Sequence, residues 1–139
     1  MKKVLFICTQ NACRSQIAEA VVGQVLEGMV QTFSAGTEPA GVHPLAVKVL
    51  EEEGMDISQA RSKHIDEFNG QAFDLVITLC GGAAESCPFW PGQGKRIHVG
   101  FDDPAAVKGD EAKRLDAFRK VRDEIKERLV NVVREELGL

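Results

Sequence analysis

The sequence contains a cysteine and an arginine separated by five residues, Cys8 and Arg14, with Ser15 directly after the arginine. Formation of a nucleophilic thiolate is favoured beside an arginine and at the N-terminus of a helix. The planar guanidinium group of arginine can bind two oxygens of a tetrahedral anion at once. The pattern therefore predicts an oxyanion-binding loop with Cys8 as its nucleophile. A buried core cysteine and a surface arginine would be the alternative explanation of the same spacing.

The flanking residues favour the catalytic interpretation. Residues 4–7 form an apolar run, which is typical of a strand buried on both faces of a parallel sheet. After Ser15, apolar residues recur at helical spacing, at Ala18, Val21, Val22, Val25, Leu26 and Met29. A strand before the loop and a helix after it direct backbone N–H groups inward, as in an anion cradle. The predicted cradle consists of Thr9, Gln10, Asn11, Ala12, Cys13, Arg14 and Ser15.

The rest of the chain indicates a single α/β domain covering residues 1–139. Strands are predicted at residues 3–7, 30–34, 73–79 and 96–101. Helices are predicted at residues 15–29, 44–53 and 110–136, with a short helix near residues 62–66. This alternation predicts a parallel sheet with right-handed crossovers and helices on both faces.

The composition indicates a cytoplasmic protein without a nucleic-acid or membrane partner. The chain is 44% hydrophobic and 27% charged, and its net charge of −4 is spread without a basic stripe. Its N-terminal apolar run is too short for a signal peptide, and no segment approaches the roughly 20 apolar residues of a membrane span. The scattered histidines predict no metal site, and a monomer is expected. In a reducing compartment, four cysteines are more typical of catalysis or redox chemistry than of structural disulfides.

Two further cysteines occur where a strand end and a loop are predicted. Cys80 follows the strand at residues 73–79, as Cys8 follows the first strand, and the carboxyl ends of parallel strands face one crevice. Cys87 lies in the following segment, which is rich in glycine and proline. These positions make transfer of a disulfide feasible, although one core cysteine and one incidental loop cysteine remain the alternative.

Two aspartates precede Pro104, just past the last predicted strand. Asp103 is the preferred donor of a proton to a leaving oxygen, and Asp102 is the competing candidate. Both residues would also suit a turn before proline.

The segment CTQNACRSQIAE, which begins at Cys8, resembles the phosphate-binding loop of the low-molecular-weight protein tyrosine phosphatase superfamily. Gln16, where these phosphatases usually carry proline, resembles the arsenate reductase branch. The likeness continues through SAG at residues 34–36, TLC at residues 78–80 and GFDDPA at residues 100–105.

This resemblance implies a phosphatase-like fold with strand order 2-1-3-4 and the reduction of arsenate to arsenite. It implies that Cys8 attacks arsenate, that Cys80 then forms a disulfide with Cys8, and that Cys87 finally forms a disulfide with Cys80. It also implies Asp103 as the general acid and a hydrogen bond from Ser15 to the Cys8 thiolate. No bound cofactor is implied, and the electrons would come from reduced thioredoxin.

One position departs from the pattern that the resemblance implies. Some thioredoxin-linked arsenate reductases hold a potassium ion beside the loop, and Asn11, Glu19 and Ser34 match three of its ligand positions. Lys63 occupies the fourth position. We expect the ammonium group of Lys63 to pair with Glu19 in place of a cation. The alternative is a Lys63 side chain that points to solvent.

Two other functions remain open. A low-molecular-weight phosphatase would use Cys8, Arg14 and Asp103 and would have no use for the other thiols. A non-catalytic oxyanion or redox sensor would bind the anion or exchange disulfides without turnover.

Overall fold

The computed structural model describes residues 1–81 and 90–139, and the four strands within them form one parallel sheet. The strands are β1 (Lys2–Ile7), β2 (Val30–Ala35), β3 (Leu75–Thr78) and β4 (Lys95–His98). Their order is β2-β1-β3-β4, and every neighbouring pair is parallel. The predicted fold class and strand order are confirmed. The last two strands are shorter than predicted, so Cys80 lies in a loop just beyond β3.

The helices of the described residues are α1 (Arg14–Val25), α2 (Pro44–Glu51), α3 (Glu111–Glu124) and α4 (Val130–Leu137). A π-helical turn (Ile125–Leu129) joins α3 to α4, so the helix predicted at residues 110–136 is one helical stretch with a widened turn. Asp110 caps its start by accepting a hydrogen bond from the backbone N–H of Lys113 at 2.9 Å. The short helix predicted near residues 62–66 is a 3-10 helix at Ile65–Phe68.

The first helix ends four residues earlier than its apolar spacing predicts. The chain reverses at Gly28, whose φ of 81° suits glycine. Both Met29 and Val30 donate backbone hydrogen bonds to the carbonyl of Leu26. Leu26 remains buried, whereas Met29 is 46% exposed because it lies in the turn and not on the helix.

Side chains of β1 alternate between two cores on opposite faces of the sheet. Val4 and Phe6 pack in the larger core, to which all four α-helices of the described residues contribute. Leu5 and Ile7 pack in a smaller core with the 3-10 helix and an aromatic group. Among the residues that the structure describes, α-helices therefore cover one face of the sheet and the 3-10 helix packs on the other.

Trp90 anchors the aromatic group of the smaller core. Its ring packs edge-on against Phe73 with 5.6 Å between ring centroids, and its indole N–H donates to the carbonyl of Gln93 at 3.1 Å. Only 2% of the residue is exposed.

No helix in the described part of the chain is both long and apolar enough to cross a membrane.

Candidate active site

The residues between β1 and α1 form a loop at the carboxyl edge of the sheet. Cys8 is the first residue beyond β1, and its backbone N–H donates to the carbonyl of Ala35, beside the end of β2, at 3.2 Å. Cys8 is 2% exposed and Arg14 is 4% exposed. The predicted order of strand, loop and helix is confirmed.

The segment from residue 36 to residue 43 wraps around the outside of this loop. The backbone N–H groups of Glu38, Ala40 and His43 donate to the carbonyls of Thr9, Gln10 and Ala12 at 2.9, 3.2 and 3.0 Å. In a trans peptide the C=O group and the N–H group of the next residue point in opposite directions. The N–H groups of Gln10, Asn11 and Cys13 therefore point away from the wrapping segment and into the loop, as an anion cradle requires.

Gly36 permits this close approach of the two segments. A Cβ atom at this position would lie 2.7 Å from the carbonyl oxygen of Cys8 and 2.9 Å from the backbone nitrogen of Asn11. Both distances are shorter than atomic contact allows. The SAG triplet noted in the sequence thus places its glycine against the loop.

The thiol of Cys8 is part of a buried hydrogen-bond network. Its Sγ atom lies 2.9 Å from the hydroxyl oxygen of Ser15, and the Nδ2 group of Asn11 donates to that oxygen at 2.7 Å. Asn11 adopts a left-handed backbone with a φ of 48°, which asparagine tolerates better than most residues. Ser15 and Asn11 are fully buried.

Arg14 begins α1, and its guanidinium group is held by the segment that follows β4. Its Nη1 atom donates to the carbonyl of Phe101 at 3.1 Å. The Phe101 ring in turn lies under the guanidinium carbon of Arg128, 4.7 Å from the ring centroid. This support fixes a positive charge next to the loop that starts with Cys8.

Asp103 is half-buried, whereas Asp102 is exposed. The carboxylate of Asp103 interacts electrostatically with Cys13 and with His43. One of its oxygens also accepts a hydrogen bond from the backbone N–H of Ala105 at 3.0 Å and caps the 3-10 helix at Pro104–Ala106. The structure thus gives Asp103 both the position near the site and the turn-forming contact that the sequence allowed.

Cys13 lies in the loop but is held in its neutral form. Burial is the main reason why its pKa is raised to about 12; the electrostatic interactions with Asp103 and Cys8 also raise this pKa, and Arg14 opposes the rise. A thiol with this pKa is protonated at neutral pH and is a poor nucleophile.

Cys80 follows β3, the strand that pairs with β1. Ile7 and Thr78 are partners in the sheet, so Cys8 and Cys80 leave adjacent strands at the same edge. Cys80 is 1% exposed, and no disulfide joins Cys8, Cys13 and Cys80 to one another. Cys87, the other cysteine of the predicted relay, lies outside the described residues.

Lys63 is directed toward Glu19 and not toward solvent. Its Nζ atom is 4.0 Å from a carboxylate oxygen of Glu19, and only 16% of its side chain is exposed. Burial raises the pKa of Glu19, while the charge of Lys63 and the nearby hydroxyl of Ser34 oppose this rise. The expected pairing is present, and the solvent-exposed alternative is wrong.

Within the described residues, no group of three or more His, Cys, Asp or Glu side chains is arranged to hold a metal ion.

Two residues beside the loop make contacts that sequence reasoning did not predict. His43 was given no role, and Gln16 was noted only for its resemblance to the arsenate reductase branch. The Nδ1 atom of His43 caps α2, and its backbone N–H donates to the loop. Its ring packs against Phe118 with 4.7 Å between the ring centroids. Burial and the charge of Arg114 lower the pKa of His43, and Asp103 opposes this effect. The position of His43 before Pro44 could have indicated a helix cap. The side chain of Gln16 forms hydrogen bonds with Asn11.

Known proteins resemble this chain along nearly its whole length. An arsenate reductase of Halalkalibacterium halodurans is 47% identical over 128 residues, which cover 92% of each chain. A solved structure described as an arsenate reductase in the oxidized state has a TM-score of 0.79 and 36% identity, and the match covers 98% of this chain and 99% of the other.

A thioredoxin-dependent arsenate reductase of Corynebacterium glutamicum has a TM-score of 0.66 and 31% identity over 96% of this chain and 63% of its own. The sequence model of the low molecular weight phosphotyrosine protein phosphatases matches residues 3–138. By this match and by the fold and loop described above, the chain belongs to the low molecular weight phosphotyrosine protein phosphatase family.

Proposed function

We propose that this protein reduces arsenate to arsenite. The observation that carries the proposal is a second buried thiol, Cys80, at the same sheet edge as the thiol of the anion loop. Hydrolysis of a phosphate ester needs a single nucleophilic cysteine, whereas reduction of arsenic needs a second thiol to complete a disulfide. The relatives named arsenate reductases support the same conclusion.

The first step is nucleophilic attack. Arsenate would bind to the inward N–H groups of the loop and to Arg14, and the Cys8 thiolate would form a sulfur–arsenic bond. Asp103 would protonate the departing oxygen, which leaves as water. Arsenic is still pentavalent after this step.

The second step transfers two electrons. The Cys80 thiolate attacks the sulfur of Cys8, the sulfur–arsenic bond breaks, and its electron pair stays on arsenic, which leaves as arsenite. Cys87 then attacks Cys80, so that Cys8 leaves as a thiolate and a Cys80–Cys87 disulfide remains. Reduced thioredoxin, suggested by the thioredoxin-dependent relative, would reduce this disulfide and become oxidised itself.

The test is arsenate-dependent oxidation of NADPH in the presence of thioredoxin and thioredoxin reductase. The protein should turn over arsenate many times, and omission of thioredoxin should stop the reaction. Absence of turnover in the complete system, with the protein folded, would contradict the proposal. A sensor would bind arsenate in this assay without consuming NADPH.

Phosphatase activity is the second candidate, because Cys8, Arg14 and Asp103 are the residues that it needs and the chain belongs to a phosphatase family. Hydrolysis of p-nitrophenyl phosphate measures this activity. A Cys80→Ser variant separates the two functions, since it should lose arsenate reduction and keep hydrolysis. Rapid hydrolysis together with no arsenate reduction would identify the protein as a phosphatase.

A further inference from the structure

Gln16 is a buried side chain on α1 that the reaction above does not use. It is 1% exposed, and its Nε2 group lies within hydrogen-bond distance of three acceptors. These are the backbone carbonyl of Asn11 at 3.2 Å, the side-chain Oδ1 of Asn11 at 2.9 Å, and the carbonyl of Arg61 at 3.0 Å. A flipped amide would place its oxygen against three other oxygens, so these contacts fix the orientation of Gln16.

The fixed amide of Gln16 in turn determines the orientation of the Asn11 side chain. The atom that accepts from Gln16 also accepts from the backbone N–H of Lys63 at 2.9 Å. An atom that faces two N–H donors must be the amide oxygen. The NH₂ group of Asn11 therefore faces the hydroxyl oxygen of Ser15, 2.7 Å away.

The orientation of Asn11 decides which way the Ser15 hydroxyl donates. A serine hydroxyl has one proton and can also accept hydrogen bonds. Since its oxygen accepts from Asn11, its proton is available to the Sγ atom of Cys8, its other hydrogen-bond partner in the described part of the chain, at 2.9 Å. Donation to sulfur stabilises the thiolate over the thiol.

We propose that Gln16 is a positioning residue that orients Asn11 and thereby directs the Ser15 proton to the Cys8 sulfur. The proposal deepens the proposed function, because it rests on Cys8 as the nucleophile. Besides Ser15, the charged residues Arg14 and Asp103 lie at this end of the loop, and both interact electrostatically with Cys13. Gln16 is uncharged, so its replacement by another neutral residue leaves these charges in place.

The test is the pH profile of iodoacetamide alkylation at Cys8, measured by peptide mass spectrometry. Gln16→Met keeps the approximate size of the side chain and removes its hydrogen bonds. The midpoint of the profile should move to higher pH, and alkylation at neutral pH should slow roughly three- to tenfold, as expected for the loss of one net hydrogen bond. Gln24→Met, an exposed glutamine on the same helix, is the matched control and should leave the profile unchanged.

Thermal melting separates positioning from mere support of the fold. A structural role would lower the melting temperature of Gln16→Met without moving the alkylation midpoint, and that result would overturn the proposal. Because alkylation needs no arsenate, an unchanged midpoint in a protein that reduces arsenate counts only against Gln16. A shifted midpoint in a protein that does not reduce arsenate counts only against the proposed function.

Asn11→Asp keeps the proposal testable if Gln16→Met fails to fold. The substitution is nearly isosteric, and its second carboxylate oxygen would accept the Ser15 proton in place of donating to Ser15. The alkylation midpoint should again rise, and an unchanged midpoint would overturn the proposal. Where both variants fold, the double variant should behave like Asn11→Asp alone, because Gln16 acts through Asn11. If the double variant instead showed the sum of the two single midpoint shifts, Gln16 would not act through Asn11.

Discussion

Three buried cysteines meet at this edge of the sheet, and their surroundings assign them different chemistry. Cys8 has a hydroxyl partner and lies in the loop started by β1, while burial and nearby negative charge keep Cys13 as a thiol, with its pKa raised to about 12. Cys80 is buried and lies beyond the neighbouring strand. The position of each sulfur, more than the number of cysteines, decides what it can do.

Serine variants of the four cysteines test the proposed relay. Cys8→Ser and Cys80→Ser should abolish arsenate reduction, because each removes a sulfur of the first disulfide. Cys87→Ser should release a single arsenite and stop with a Cys8–Cys80 disulfide, which peptide mapping detects. Cys13→Ser should retain nearly full turnover with thioredoxin. Repeated turnover in Cys87→Ser with thioredoxin alone, or loss of activity in Cys13→Ser, would show that the relay is wrongly assigned.

Replacing Asp103 tests the proton donor. Asp103→Asn should lower kcat about 10²-fold or more, the usual contribution of a general acid. Asparagine can still cap the 3-10 helix at Pro104–Ala106, so the fold should persist. The control is Asp102→Asn, which alters the exposed neighbour and should have little effect. Equal losses of kcat in the two variants would exclude a special role for Asp103.

The Lys63–Glu19 pair predicts the response to monovalent cations. Because an ammonium group already faces Glu19, exchanging sodium for potassium at fixed ionic strength should leave arsenate reduction nearly unchanged. Lys63→Ala should weaken oxyanion binding and raise KM, since it removes the cation that faces Glu19 and donates to the carbonyl of Arg61 beside the loop. Lys48→Ala, at an exposed lysine, is the control. Marked activation of the unmodified protein by potassium would show that Lys63 does not replace the ion.

At the level of elements, periodicity predicted where β1 ends and α1 begins, because both depend on local apolar spacing. It did not predict the wrapping segment at residues 36–43, whose contacts with the loop are made by backbone N–H groups. Every residue apart from proline has the same backbone N–H and C=O groups. A pattern of side chains therefore does not predict which backbone groups form hydrogen bonds with each other. Apolar spacing also failed to predict the early end of α1. Val25 and Met29 continue the helical spacing, although Met29 lies in the turn after the helix.

The contact between α2 and α3 predicts a loss of stability in acid. Glu52, at the end of α2, accepts hydrogen bonds from Arg119 at 2.7 Å and from Arg122 at 2.9 Å. These bonds, chiefly that from Arg119, lower the pKa of Glu52 to about 2. A carboxylate with a lowered pKa stabilises the folded state above its unfolded pKa, and this contribution is lost as the pH falls through the folded value.

Glu52→Gln should therefore lower the melting temperature by about 2–3 °C at neutral pH, a modest effect because the pair is partly exposed. The difference from the unmodified protein should shrink as the pH falls from about 4.5 toward 2. Glu51→Gln, the exposed neighbour, serves as the control. A difference that stays constant over this range would mean that the ion pairs do not stabilise the folded state.

At the scale of the whole molecule, the site joins segments that are far apart in sequence. The loop after β1, the wrapping segment, residues 61–63 and the end of β3 meet at one edge of the sheet. The α/β class and the candidate nucleophile could be predicted because each depends on a short stretch of chain. The contacts of Gln16 with Arg61 could not, because they link residues 45 positions apart in the chain.

Anion binding should stabilise the whole fold, because the loop is held by several of these segments. At a concentration a hundredfold above its Kd, arsenate or phosphate should raise the melting temperature by roughly 8 °C and protect Cys8 from alkylation. Chloride at equal ionic strength should do neither. Arg14→Lys keeps the charge without the planar fork and should reduce both effects. Equal stabilisation by chloride would contradict a specific oxyanion site.

The aromatic packing of Trp90 has a spectroscopic consequence. The chain contains one tryptophan and no tyrosine. Apart from the emission of phenylalanine, its ultraviolet fluorescence therefore comes from a single indole. This indole is buried against Phe73, where shielding from water shifts fluorescence to shorter wavelengths. Trp90 also stands three positions after Cys87 in the chain. The protein thus carries its own optical label three residues from the last sulfur of the proposed relay. We expect stopped-flow emission to follow the redox cycle without an added dye.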